Sequence, residues 1–217
     1  MPTPPESPIK TTKPLISKWL KHRADWSSCT RCPIGRTCTS HVLGRGHLPC
    51  DILFIGEAPG RSEDITGVPF IGPAGKVLDT LITNSVAYLH PTKIPVGHAR
   101  RHYTYAITNI IACLPQRSND PTSTVPSIGQ PSDKEALTCR PRLLEFVSLA
   151  RPRGIVLLGA VAKQHFPVDP VGRYDKPAVL TLVHPAYILR TGGARQSNPN
   201  YTTALSRLVS WLESTLK

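Results

Sequence analysis

The chain lacks any apolar run long enough to cross a bilayer or to serve as a secretory leader, so no segment of it calls for an oxidising compartment. Its thiols are expected to be reduced and the protein to be cytoplasmic, with no membrane partner. Acidic residues are scarce: 14 Asp and Glu face 26 Lys and Arg, a formal charge of +12 and a pI near 9.8. That balance suits a polyanion. Also missing are the Gly-Lys-Ser/Thr ending of a nucleoside triphosphate loop, the G-x-G-x-x-G of a dinucleotide fold and any internal repeat. These absences remove the common nucleotide-cofactor and repeat-scaffold readings.

What is present begins with Asp51-Ile-Leu-Phe-Ile55, a buried-strand run that ends in Gly56-Glu-Ala-Pro-Gly60 and is followed by Gly67-Val-Pro-Phe-Ile-Gly-Pro-Ala-Gly75. A strand of this kind delivers polar groups to its carboxyl end, where open α/β sheets bind ligands. The glycines let backbone approach a flat or anionic ligand, and Pro59, Pro69 and Pro73 stiffen the loop. Glu57 offers a carboxylate and Phe70 a ring face, a pair suited to a planar, electron-poor ring. A second β-branched run, Tyr103-Thr-Tyr-Ala-Ile-Thr, leads to Asn109, and Ala178-Val-Leu-Thr-Leu-Val183 leads to His184. An Asn amide carries a donor and an acceptor side by side and can read the edge of a base. A neutral His can donate to a developing oxyanion.

Six cysteines stand at 29, 32, 38, 50, 113 and 139. Cys29-Thr-Arg-Cys32 is a chelating pair that two distant cysteines could complete, as zinc, as an iron–sulfur cluster or as a redox pair beside buried thiols. Spacing alone leaves that choice open, with Cys38 and Cys50 competing as ligands.

The pattern along the chain predicts a single α/β domain over residues 15–217 behind a disordered Pro-rich arm, residues 1–14. Helices are expected from Leu15 to Trp26, from Pro73 to Leu89, from a capping box at Ser132 and Glu135 to Ala150, and at the C-terminal end, where Leu205, Leu208, Leu212 and Leu216 form a stripe. Strands are expected at 51–55, before Asn109, at Gly154–Leu158 and at Ala178–Val183. The sum is a three-layer α/β/α sandwich on a short, mostly parallel four-stranded sheet.

Taken in order, Gly56-Glu-Ala-Pro-Gly-Arg-Ser-Glu-Asp64, Gly67-Val-Pro-Phe-Ile-Gly-Pro-Ala-Gly75, Thr108-Asn109 leading to Cys113, Cys139-Arg-Pro, Leu158-Gly159 and His184-Pro-Ala resemble the family 4, iron–sulfur, uracil-DNA glycosylases. The resemblance implies an enzyme that hydrolyses the N-glycosidic bond of deoxyuridine in DNA, single- or double-stranded, releasing uracil and leaving an abasic site. It implies Cys29, Cys32, Cys113 and Cys139 as ligands of a structural [4Fe–4S] cluster, with Cys38 and Cys50 spare. Glu57 is implied as the first catalytic carboxylate, with Asp64 second, and His184 as the last-motif histidine. Ala58, Gly60, Phe70 and Asn109 would form the base pocket. Ile188, Leu189 and Arg190 would enter the stack or hold a phosphate, and the protein is expected to act as a monomer. Residues 90–102 and 116–131 are longer than the family pattern leads one to expect. The rival expectations are a non-catalytic DNA-binding module that keeps fold and cluster, and a zinc-stabilised binding protein.

Overall fold

A computed structural model describes residues 9–89, 103–117, 127–167 and 176–216. In chain order these form β1 (Ile9–Thr11), α1 (Lys13–Trp26), α2 (Ile34–Thr37), β2 (Arg45–Leu48), β3 (Ile52–Gly56), α3 (Arg61–Thr66), α4 (Pro73–Leu89) and β4 (Tyr105–Asn109). There follow β5 (Gln116–Arg117), β6 (Ser127–Ile128), α5 (Asp133–Ala150), β7 (Gly154–Leu158), α6 (Ala160–His165), β8 (Ala178–Leu182), α7 (Pro185–Arg190) and α8 (Pro199–Thr215).

The strands β3, β4 and β7 are apolar on both faces because both faces are covered. Leu53, Ile55, Ile155 and Leu157 point into a core closed by Leu15 and Trp19 of α1 and Phe146 and Val147 of α5. Their neighbours Ile52, Phe54, Val156 and Leu158 point the other way, onto Leu78 and Leu81 of α4 and Leu205, Leu208 and Leu212 of α8. The period of two along each strand thus builds two cores from one sheet. At the start of α5 the Ser132 hydroxyl accepts from the Glu135 N–H at 3.3 Å and the Glu135 carboxylate accepts from the Ser132 N–H at 2.8 Å, the reciprocal cap that the sequence predicts.

The sheet has six strands rather than the expected four, in the order β1-β2-β4-β3-β7-β8. β2 runs antiparallel to β4 and every other pairing is parallel. The two additional strands carry almost no strand signal: β2 is Arg-Gly-His-Leu and β1 is Ile-Lys-Thr, inside the Pro-rich arm. Pairing with an existing sheet edge recruits them, so their backbone bonds and not their side chains decide the conformation. Residues 9–14 are therefore ordered as β1 and the start of α1, while residues 1–8 lie outside the described residues. The expected long connection at 116–131 begins and ends in an antiparallel hairpin, β5 with β6, and the expected basic loop at 90–102 lies outside the described residues. Among the described residues no helix is long and apolar enough to cross a membrane.

Candidate active site

Because β4, β3, β7 and β8 are adjacent and parallel, their carboxyl ends face one side, and the loops leaving them line a cleft of about 960 Å³. Glu57 follows β3, Asn109 ends β4, Gly159 follows β7 and His184 follows β8, and all four line the cleft with Phe70. Sequence reasoning placed these polar residues at strand ends, and strand order brings them together.

Gly56, the last residue of β3, lies directly against two residues of the cleft, Phe70 and Asn109. A Cβ there would fall 2.4 Å from the Phe70 ring and 2.5 Å from Asn109 Oδ1, so only bare backbone lets ring and amide close on the strand end. Phe70 has φ of 54°, a left-handed backbone that an aromatic residue does not choose freely. Its surroundings impose it: the Phe70 carbonyl lies where a Cβ on Gly75 would be, and Arg45 of β2 donates to that carbonyl at 3.4 Å while paired with Asp79 of α4. The ring stands 6.0 Å, centroid to centroid, from the His184 imidazole at 35°.

His184 caps α7, and its Nδ1 accepts from the Ala186 N–H at 3.1 Å. Burial, with a lesser push from Arg190, lowers its pKa to about 4. The imidazole is consequently neutral at physiological pH, and the occupied Nδ1 leaves the proton on Nε2 as a donor. Asn109 is 1 % exposed, and neither its amide nitrogen nor its amide oxygen has a protein partner. Glu57 is half-buried, and burial pushes its carboxyl above the ordinary value.

On the other face of the sheet, Cys29 and Cys32 from the loop after α1, Cys113 from the loop after β4 and Cys139 of α5 line one small cavity with Trp26, His41 and Arg142. An all-sulfur donor set drawn from three segments fits a soft metal or an iron–sulfur group. Cys38 stands beside it: its sulfur, a His41 ring nitrogen and the Cys113 sulfur lie within 4.8 Å of one another. The His41 Nε2 donates to the Cys29 carbonyl at 2.7 Å, which binds the two loops together. Cys50 is elsewhere, a buried thiol pushed up to about 12 by burial.

The model of the uracil DNA glycosylase superfamily matches residues 43–208, the span that carries every strand of the cleft. The chain belongs to the uracil DNA glycosylase superfamily. This superfamily member is 32% identical over 179 residues to the Type-4 uracil-DNA glycosylase of Archaeoglobus fulgidus, covering 75% of this chain and 78% of that one. It is 33% identical over 174 residues to the Type-4 uracil-DNA glycosylase of Thermotoga maritima, with the same coverage of each chain.

Two expected site residues of this glycosylase-superfamily chain lie away from the cleft. Asp64 is buried on the cysteine side, where its carboxylate accepts from the Thr39 N–H at 3.0 Å and the Ser40 N–H at 3.4 Å. That occupation ties the cysteine loop to α3 and removes Asp64 as a carboxylate for the cleft. Ile188 is 1 % exposed and packs in the core under α7, so it cannot enter a base stack. Its neighbours Leu189 and Arg190 are exposed at the cleft mouth. Ala58 and Gly60 line the cleft.

Glu63, not expected as a site residue, takes a place at the cleft wall. Its carboxylate accepts from the N–H groups of Gly60, Ile71 and Gly72 at 3.1, 3.0 and 2.9 Å, clamping the two glycine loops to each other. The signal was a Glu three residues after a loop Gly, the spacing of an N-terminal helix cap. Asn198 does the same behind α7, donating to the Ile188 and Gly193 carbonyls.

Proposed function

We propose that this protein excises uracil from DNA, hydrolysing the N-glycosidic bond of deoxyuridine and leaving an abasic site. The observation that carries the reading is the Asn109 amide: a buried donor and acceptor, both without protein partners, line a cleft that an aromatic ring and a neutral imidazole also line. Leaving such a group unpaired costs about 1–3 kcal/mol, which a planar base with complementary edges recovers. Uracil offers a carbonyl and an N–H on adjacent ring atoms, and Phe70 supplies a surface on which its ring stacks.

Cleavage breaks the bond from the sugar C1′ to the base N1, with the electron pair leaving on the base. Its developing negative charge falls on the carbonyl oxygen, which the His184 Nε2–H meets as a donor. The sugar becomes cation-like, and the Glu57 carboxylate stabilises that charge and orients the water that adds to C1′. The water's proton passes to Glu57 and then to solvent. Extrusion of the base costs a few kcal/mol, least from a single strand or a mismatch, and Leu189 with Arg190 at the mouth would hold the vacated stack and a phosphate.

Cys29, Cys32, Cys113 and Cys139 are the residues that would hold a [4Fe–4S] cluster. When bound it would cross-link three chain segments, and the cavity its thiols line shares no residue with the cleft. The unit that does this work is a single domain, which takes in β1 and the start of α1 as well as the expected residues 15–217.

Uracil release from an end-labelled oligonucleotide with one deoxyuridine tests the reading. The native chain should give an alkali-sensitive site, and Glu57→Ala and His184→Ala should each slow release by roughly 10²–10³-fold with DNA binding kept. Binding by a brown, metal-loaded native protein with no release would instead favour a non-catalytic module.

A further inference from the structure

Arg142 is 0 % exposed, lies on α5 one turn beyond Cys139 and lines the cysteine cavity. Its guanidinium reaches across the sheet end: Nη2 donates to the Asn109 carbonyl at 2.5 Å and the Ile110 carbonyl at 2.9 Å, and Nη1 donates to Thr108 Oγ1 at 2.8 Å. Thr108 Oγ1 passes the contact on, donating to the Leu43 carbonyl at 2.8 Å, which Nη1 also approaches at 3.5 Å. Every one of these acceptors is neutral, so this buried charge is met by backbone and hydroxyl dipoles converging from residues 108–110 and from Leu43.

We propose that Arg142 is a positioning residue for base recognition: by gripping three consecutive residues, Thr108, Asn109 and Ile110, it fixes the direction in which the Asn109 amide meets the base. The proposal rests on the reading of Asn109 given above. Pairing with the neighbouring chain runs only a little past β4: the Ile110 N–H donates to the Gly56 carbonyl at 2.9 Å and the Ile111 N–H to the Glu57 carbonyl at 3.3 Å, after which the chain runs on to Cys113. The peptide between residues 109 and 110 is held at both edges, its carbonyl by Arg142 and its N–H by the Gly56 carbonyl, and the same guanidinium nitrogen holds the next carbonyl, which restrains the backbone that carries the Asn109 side chain. The amide itself has no protein partner to orient it, so the backbone must do so. A planar fork of five donors can hold this many acceptors at once, whereas a lysine ammonium can meet only part of the set.

The test uses the holoprotein of full length. Arg142→Lys keeps the charge and should lower kcat for uracil release about tenfold or more, since sub-ångström misplacement of a reading group is costly in rate. KM for DNA, iron and sulfide per chain and visible absorption should stay as in the native protein. Discrimination against cytosine in the same oligonucleotide should fall with kcat, and the Asn109 side-chain amide resonances should shift. In an Asn109→Ala background the same substitution should have no further effect on kcat, because it acts through the missing amide. Thr108→Val, which removes one acceptor and leaves the charge in place, should show a smaller loss with the same non-additivity. Losses of kcat that add in the double variants, or that follow loss of metal with the amide resonances unmoved, would reduce Arg142 to a structural prop. A native protein that releases no uracil would overturn the site reading instead, which separates the two failures.

Discussion

Glu57 and His184 face the same cleft, and burial moves their pKa values in opposite directions, the carboxyl's up and the imidazole's down. Both shifts favour the uncharged form. The reaction needs Glu57 ionised, so activity should fall as pH drops through its raised pKa, above the ordinary 4.5 of a glutamate. His184 keeps its neutral donor form down to about 4, well below its ordinary 6.5, so it adds no limb near 6.5. A kcat/KM profile should therefore show one acid limb that Glu57→Gln abolishes. A limb near 6.5 that survives Glu57→Gln and vanishes in His184→Asn would overturn this assignment. At this scale the sequence was readable where a polar residue ended an apolar run between Gly and Pro, as with Glu57, Asn109 and His184. It was unreadable for Glu63, Asp64 and Arg142, whose roles depend on which N–H groups and carbonyls later fold against them. Glu63 and Asp64 are sequence neighbours with opposite destinations, one clamping the cleft loops and one the cysteine loop.

At the scale of elements, α7 shows why two adjacent apolar residues could not both serve DNA. Helical periodicity turns Ile188 into the core and Leu189 outward to the cleft mouth. Leu189→Ala should lower kcat/KM on double-stranded substrate about tenfold and change it little on a single strand, where no stack must be held open. Equal loss on both substrates would sink the wedge role and leave Leu189 as a wall of the cleft. β3, β4 and β7 announce themselves as apolar runs because they are covered on both faces. β1 and β2 do not, since a strand recruited to an edge needs only free backbone groups and a partner. Arg45 of β2 nonetheless bears on the cleft through the Phe70 carbonyl, so a strand invisible in the sequence helps to impose the unusual backbone of a legible residue.

For the whole molecule, the excess of positive charge sets how it meets a polyanion. If about six side chains reach phosphates, log Kobs against log salt should have a slope of about −5. Arg190→Ala, at the cleft mouth, should reduce its magnitude by about one while uracil release at saturating DNA stays near native, a comparison best made by anisotropy and single-turnover release side by side. An unchanged slope would place Arg190 away from the backbone path. Ile110, Ile111 and Ala112, all buried, are the whole of the chain between Asn109 in the cleft and Cys113 in the sulfur cavity. Loops are ordinarily where proteins tolerate gains and losses of length. Here a single residue inserted or deleted would pull a base-facing amide and a cavity thiol out of phase together, so this connection can change its side chains but not its length.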